Sequence, residues 1–194
     1  MSFPGKININ AKPGLVVVDN FLSNPDEVRG FAMAHEYEDG SDYYKGRRTH
    51  NRFISDGLKH EFQDLLGRKI TSWEDQGMNG KFQFCTPEDP LVYHQDLQEY
   101  AGLLFLTPDA PPQTGTSFYT SKRTGLRVPE TQREVEETFS GGFFDSCNFD
   151  LVDSIGNVYN RLVLFHSRQI HAASCYFGKG IKDARLFQIF FFGT

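Results

Sequence analysis

The 194-residue sequence contains no run approaching the ~20 consecutive apolar residues that a membrane-crossing helix requires. Its first residues, Met1-Ser2-Phe3-Pro4-Gly5-Lys6, lack the apolar block of a secretory leader, so a cytoplasmic location is expected by elimination. Cysteine is scarce: Cys85, Cys147 and Cys175 are odd in number, far apart and without Cys-x-x-Cys spacing. That sets aside a zinc or dithiol motif and leaves buried or free thiols in a reducing compartment as the reading. Positive charge is not in excess. Lys and Arg total 20 against 25 Asp and Glu, a net charge of −5, which repels phosphate backbones, so nucleic acid is not an expected partner. The short basic clusters Lys45-Gly46-Arg47-Arg48 and Lys122-Arg123 read as solvated loops.

Phenylalanine is abundant, 19 residues within an apolar fraction of 39%, which is enough bulky side chain for one core thickly lined with aromatics. The length suits a single domain over residues 1–194, with a helical N-terminal part over about 1–75 and a strand-rich core over about 80–194. Gly14-Leu15-Val16-Val17-Val18-Asp19 reads as a strand. A helix follows, with Asn24 as a cap, Pro25 in its first turn and Val28, Phe31, Ala32 and His35 at helical spacing. A second starts after Ser55 or Asp56, with Leu58, Phe62, Leu65, Leu66 and Ile70 on one face and His60 off it.

Beyond about residue 80 the pattern changes to short strands between Pro and Gly: Lys81 to Cys85, Leu91 to Leu97, Ala101 to Leu106, Thr116 to Thr120, Arg161 to Phe165 and Arg185 to Phe192. Such spacing suits a sandwich or barrel of antiparallel strands in one α+β domain, mainly β. Pro129 to Thr138, with Val135 as its one apolar residue, reads as an exposed helix or insertion.

Along the expected strand at Leu91 to Leu97, Val92, His94 and Asp96 alternate, so an imidazole and a carboxylate project to one face as two metal ligands side by side. His-x-Asp alone also fits a hydrogen-bonded surface pair and needs a third ligand. Far downstream, the apolar run at Arg161 to Phe165 leads to His166 and His171. Shortly after, Arg185 heads the run Leu186-Phe187-Gln188-Ile189-Phe190-Phe191-Phe192. A buried arginine there calls for an anionic partner, and a dicarboxylate co-substrate would supply one.

Taken together, His94-x-Asp96, Gly115-Thr116-x-Phe118, the strand ending at His171-Ala172 and the basic residue Arg185 resemble the 2-oxoglutarate-dependent iron oxygenases, especially their prolyl-hydroxylase-like branch. The resemblance covers roughly residues 80 to 192, and Val17-Val18-Asp19-Asn20-Phe21-Leu22 is similar to the start of such domains. It implies a double-stranded β-helix, or jelly roll, with N-terminal helices. Fe(II) would be held by His94, Asp96 and His171, with three coordination positions left for 2-oxoglutarate and dioxygen. The implied activity is a dioxygenase that hydroxylates a small-molecule or peptidyl substrate while releasing succinate and CO2.

Within that resemblance Arg185 would meet the distal carboxylate of 2-oxoglutarate in a bidentate pair. Lys182, in a Gly-rich turn, is its rival, and His166 is the rival of His171. The stretch before His94 lacks the tyrosine with which many relatives also touch the co-substrate, and Gln83 or Tyr93 would take that place. The segments Tyr43 to Asn51 and Thr120 to Gly142 would contact substrate. The competing function is a cupin-like jelly roll that binds a metal or ligand without oxidising anything.

Overall fold

The computed structural model describes residues 5–6, 8, 11–40, 45–74 and 77–194; Tyr43 and Tyr44 lie outside the described residues. Two antiparallel sheets face one another in a jelly-roll arrangement. The larger consists of β1 (Leu15–Val18), β2 (Tyr37–Glu38), β3 (Arg47–Thr49), β4 (Phe82–Cys85), β5 (Tyr100–Phe105), β8 (Leu162–His166) and β10 (Arg185–Phe192), in the order β1-β8-β5-β10-β4-β3-β2. The smaller is β7-β6-β9, built from β6 (Thr116–Ser121), β7 (Phe149–Ile155) and β9 (His171–Ala173).

The central strand β10 is buried on both faces, which is why it reads as an unbroken apolar run. Phe187, Ile189 and Phe191 point into the space between the sheets, where they meet Phe105, Phe118, Val163 and Phe165. Leu186, Phe190 and Phe192 point the other way, toward two helices that cover the outer face. There Phe190 meets Phe62 edge-on at 5.0 Å and stacks on Trp73 at 6.4 Å.

Those helices are α1 (Pro25–Met33) and α2 (Asp56–Leu66). Ser55 Oγ accepts the amide of Leu58 and caps α2, while Gly67 ends it in the left-handed conformation at φ 64°. Asn24 precedes α1 without capping it through its side chain, whose amide instead donates to Glu27 Oε2 at 2.8 Å. His35 packs against Phe31 and Phe53, and His60 is exposed, its Nδ1 against the backbone of Asp56. The N-terminal part thus supplies three strands of the larger sheet as well as its helical cover.

Two expectations are revised, and one strand had not been expected. Leu91 to Leu97 is not a regular strand: it follows Pro90, and among the described residues its one β-bridge is that between His94 and His171. The strand β7 had no clear signal, because it is an edge strand whose residues Asp150 to Ser154 are exposed and so show no apolar alternation. The basic cluster ahead of residue 49 is not all solvated, since Arg48 lies on β3 and is 8% exposed. The Pro129 to Thr138 segment does carry a helix, α3 (Gln132–Thr138), closed by a Thr131–Glu134 capping box. Its Val135 packs on a third cluster, Tyr93, Phe139, Phe149, Ile170 and Ala172, behind the smaller sheet.

Because Phe190 joins sheet to helices, Phe190→Ala is expected to lower the unfolding free energy in urea by about 3–5 kcal/mol. A loss under about 1 kcal/mol would contradict this packing.

Candidate functional site

His94 and His171 are brought together by backbone pairing. The His94 amide donates to the His171 carbonyl at 3.0 Å, and the reverse bond is 2.8 Å. Asp96 is tied separately, its amide donating to the Ser167 carbonyl at 2.9 Å in the turn after β8. The consequence is a cluster in which one ligand atom from each of His94, Asp96 and His171 lies within 4.8 Å of the others. The Asp96 carboxylate is 3.7 Å from His94 Nε2 and 3.4 Å from His171 Nε2.

Each imidazole is oriented from behind. His94 Nδ1 faces the Val92 carbonyl at 2.9 Å and His171 Nδ1 faces the Gln169 carbonyl at 2.8 Å. A carbonyl only accepts, so in both rings Nδ1 donates, and Nε2 is the nitrogen turned toward Asp96. This is the outer support that metal-binding histidines characteristically have. Burial, reinforced by the charges of His171 and Arg48, pushes the His94 pKa down and favours the neutral ring. For Asp96 burial alone would raise the pKa, but the hydrogen bond and charge of His171, with the charges of His94 and Arg48, outweigh it and hold the carboxyl below its ordinary value. Two imidazole nitrogens and one carboxylate form a donor set that suits a divalent transition metal. His166 is not in the cluster; its ring sits edge-on to Tyr100 at 6.1 Å.

On the same inner face, Arg185 is 2% exposed. Its Nε donates to the Thr114 carbonyl at 2.9 Å, and Nη2 donates to the Gly115 carbonyl at 3.1 Å and to Thr116 Oγ1 at 3.2 Å. Gly115 itself is required by the backbone that packs on it: a Cβ there would lie 1.8 Å from the Ile155 carbonyl oxygen. The guanidinium also lies over the rings of Phe187 at 4.5 Å and Phe105 at 5.2 Å. Burial lowers its pKa, and the ionisable groups that act against this are Tyr176 and Cys85. Among the described residues no carboxylate pairs with Arg185. Lys182 is exposed.

The other two expected co-substrate contacts differ in where they point. Gln83 faces the inter-sheet space, but its amide is engaged: Oε1 accepts from Arg48 Nε at 2.6 Å and Nε2 donates to the Lys45 carbonyl at 2.7 Å. Tyr93 points away from His94 and stacks on Phe149 at 4.9 Å, behind the smaller sheet. Two residues near the site carried no role of their own in the sequence. Thr116 had a signal in the Gly115-Thr116-x-Phe118 motif, and Tyr176, with its ring 6.0 Å from the Arg185 guanidinium, had none. Arg48 belongs to the Tyr43 to Asn51 segment expected to meet substrate. A cavity of about 350 Å³ is lined by Lys12, Gly14, Asp153, His166, Gln169 and Phe118; it borders the cluster through Phe118, whose ring is 6.4 Å from that of His171, and through Gln169, whose carbonyl faces His171 Nδ1.

No helix among the described residues is long and apolar enough to cross a membrane. The fold is shared with solved structures. HygX from Streptomyces hygroscopicus, with nickel, 2-oxoglutarate and hygromycin B bound, has a TM-score of 0.59 at 13% identity, covering 93% of this chain and 82% of that one. A prolyl hydroxylase from Trichoplax adhaerens, in complex with a hypoxia inducible factor oxygen degradation domain peptide fragment, has 0.53 at 13%, covering 92% and 83%. The non-heme alpha ketoglutarate dependent epimerase SnoN from nogalamycin biosynthesis has 0.51 at 15%, covering 91% and 74%. At these identities the likeness is one of fold. No curated protein matches the chain. A family model does match it over residues 6–183, and the chain therefore belongs to the family of unknown function DUF6445.

Proposed function

We propose that the chain is an Fe(II)- and 2-oxoglutarate-dependent dioxygenase that hydroxylates a small-molecule or peptidyl substrate and releases succinate and CO2. The observation that carries this reading is Arg185, a buried cation with no described carboxylate partner, on the face that also presents the histidine and aspartate cluster. A jelly roll that merely bound a metal would have no use for a guanidinium buried at that depth, whereas a dicarboxylate co-substrate neutralises it. The shared fold with structures that hold 2-oxoglutarate supports the same reading.

His94 Nε2, His171 Nε2 and the Asp96 carboxylate would hold the iron, the two backbone carbonyls behind the rings keeping both nitrogens available. Bound there, iron supplies the redox chemistry that couples decarboxylation of the oxoacid, with dioxygen, to hydroxylation of a C–H bond. Arg185 has five N–H donors, and three are directed at Thr114, Gly115 and Thr116. The distal carboxylate would therefore be met by Nη1 together with the Thr116 hydroxyl, whose own proton points to a carboxylate oxygen while its oxygen accepts from Arg185. That arrangement replaces a simple two-nitrogen fork. The free thiols of Cys85, Cys147 and Cys175 suit the reducing, cytoplasmic setting in which ferrous iron persists.

Asp96→Ala is expected to abolish Fe(II)-dependent succinate formation with the circular dichroism spectrum unchanged; turnover retained by the variant would remove Asp96 from the ligand set. Arg185→Ala is expected to raise the KM for 2-oxoglutarate about 10- to 100-fold, the value of one charged hydrogen-bonded contact, with a smaller effect on metal affinity. If Lys182→Ala produces that rise and Arg185→Ala does not, the anchor is misassigned.

A further inference from the structure

Resting on the metal site proposed above, we propose that Gln169 is a positioning residue: its side chain locks the turn between β8 and β9, and that turn sets two of the three groups that hold the iron. Two backbone carbonyls of the turn act on the cluster directly. The Ser167 carbonyl accepts the Asp96 amide at 2.9 Å, and the Gln169 carbonyl accepts His171 Nδ1 at 2.8 Å. A shift of the turn therefore carries a carboxylate and an imidazole with it. One side of the turn is held by the Ser167 amide, which donates to the Glu99 carbonyl at 3.0 Å. The other side is held by the Gln169 side chain.

Gln169 is buried, and its Nε2 donates to the Gly14 carbonyl at 3.0 Å and to the His166 carbonyl at 3.1 Å. A primary amide nitrogen has two donors, so both are used, and since both partners are carbonyls only the nitrogen can take that place. Neither acceptor depends on the side chain. The Gly14 carbonyl also accepts the His166 amide at 3.1 Å, and the His166 carbonyl accepts the Gln169 amide at 3.2 Å. Removal of the side-chain donors thus leaves no carbonyl unsatisfied, and the fold is expected to tolerate it. What goes is the tie between the turn and the segment ahead of β1. That segment is fixed to the core, because the hydroxyl of the fully buried Tyr100 donates to the Pro13 carbonyl at 2.8 Å. The pose of His171 is therefore referred to the larger sheet through Tyr100, Pro13, Gly14 and Gln169. His94 is oriented separately by the Val92 carbonyl, and among the described residues no hydrogen bond of Gln169 reaches Val92 or His94. The influence of Gln169 on the two imidazoles is unequal for that reason.

A glutamine that merely packed the turn would not distinguish one imidazole from the other, and the test uses that difference. The wild-type protein is loaded with Co(II), which accepts imidazole and carboxylate ligands and shifts the ring N–H protons of bound histidines far outside the ordinary proton spectrum. Two exchangeable shifted signals are expected, assigned with His94→Gln, which lacks one of the rings. In Gln169→Met, which keeps the length of the side chain and removes both donors, the His171 signal is expected to be lost to exchange with water while the His94 signal persists. The Kd for Co(II) is expected to rise about tenfold, the usual size of an effect behind a metal ligand. Both signals intact with unchanged affinity would overturn the role of Gln169, whatever the melting temperature, and so would loss at His94 instead or at both rings together. Should Gln169→Met not fold, Gln169→Asn retains an amide too short to reach both carbonyls; the same selective loss is expected there, and two intact signals overturn the proposal. A wild type that binds no Co(II), or shows no shifted ring signal when loaded, would overturn the metal site and the oxygenase reading with it. Two wild-type signals that both survive in Gln169→Met would overturn this inference alone.

Discussion

Two backbone hydrogen bonds between His94 and His171 join segments that are remote in sequence, and the geometry of the site depends on that junction. Without it, His94 and Asp96 would lie on an irregular stretch after Pro90 with no fixed relation to β9. With it, the stretch is added beside β9 at a single point, and the side-chain alternation of extended chain does the rest: His94 turns into the space between the sheets and Tyr93 turns behind them. The Asp96 amide bond to Ser167 then fixes the third group. A regular strand is not needed to align these ligands, because each is anchored by its own backbone contact.

Electrostatics divides the inter-sheet space into parts. Arg185 is surrounded by aromatic faces and by carbonyl and hydroxyl oxygens at the start of β6, which accommodate a cation but leave its charge unneutralised by any described carboxylate. Arg48, clamped by Gln83, brings a second positive charge against His94 and Asp96. A buried charge like that of Arg185 is destabilising by itself, and under the proposed function an anionic co-substrate would offset it.

Much of this was legible from residue patterns and some was not, for identifiable reasons. The two-sided apolar run of β10 and the start of α2 after Ser55 are local signals, and their structures follow from local rules; the end of α2 at Gly67, ahead of the expected face residue Ile70, was not read. His94, Asp96 and His171 were readable because the order and spacing of four motifs constrain one another, although none is informative alone. β7 was hidden because an exposed edge strand need not alternate. Arg47 and Arg48 were both candidate substrate contacts, but three residues of strand are too few to show which of the two faces inward. The competing demands on Gln83, and the burial of Tyr93 behind the smaller sheet, belong to tertiary packing and leave no trace in sequence spacing.

The central claim is that His94, Asp96 and His171 meet on one ferrous ion that still has room to chelate an oxoacid. Anaerobic titration with Fe(II) followed by 2-oxoglutarate, monitored by visible absorption, tests it directly, because chelation of ferrous iron by an α-keto acid produces a metal-to-ligand charge-transfer band. The account predicts a band that saturates at one equivalent of each and is absent when succinate replaces 2-oxoglutarate. A protein that binds Fe(II) and develops no such band, or binds no Fe(II), would contradict it.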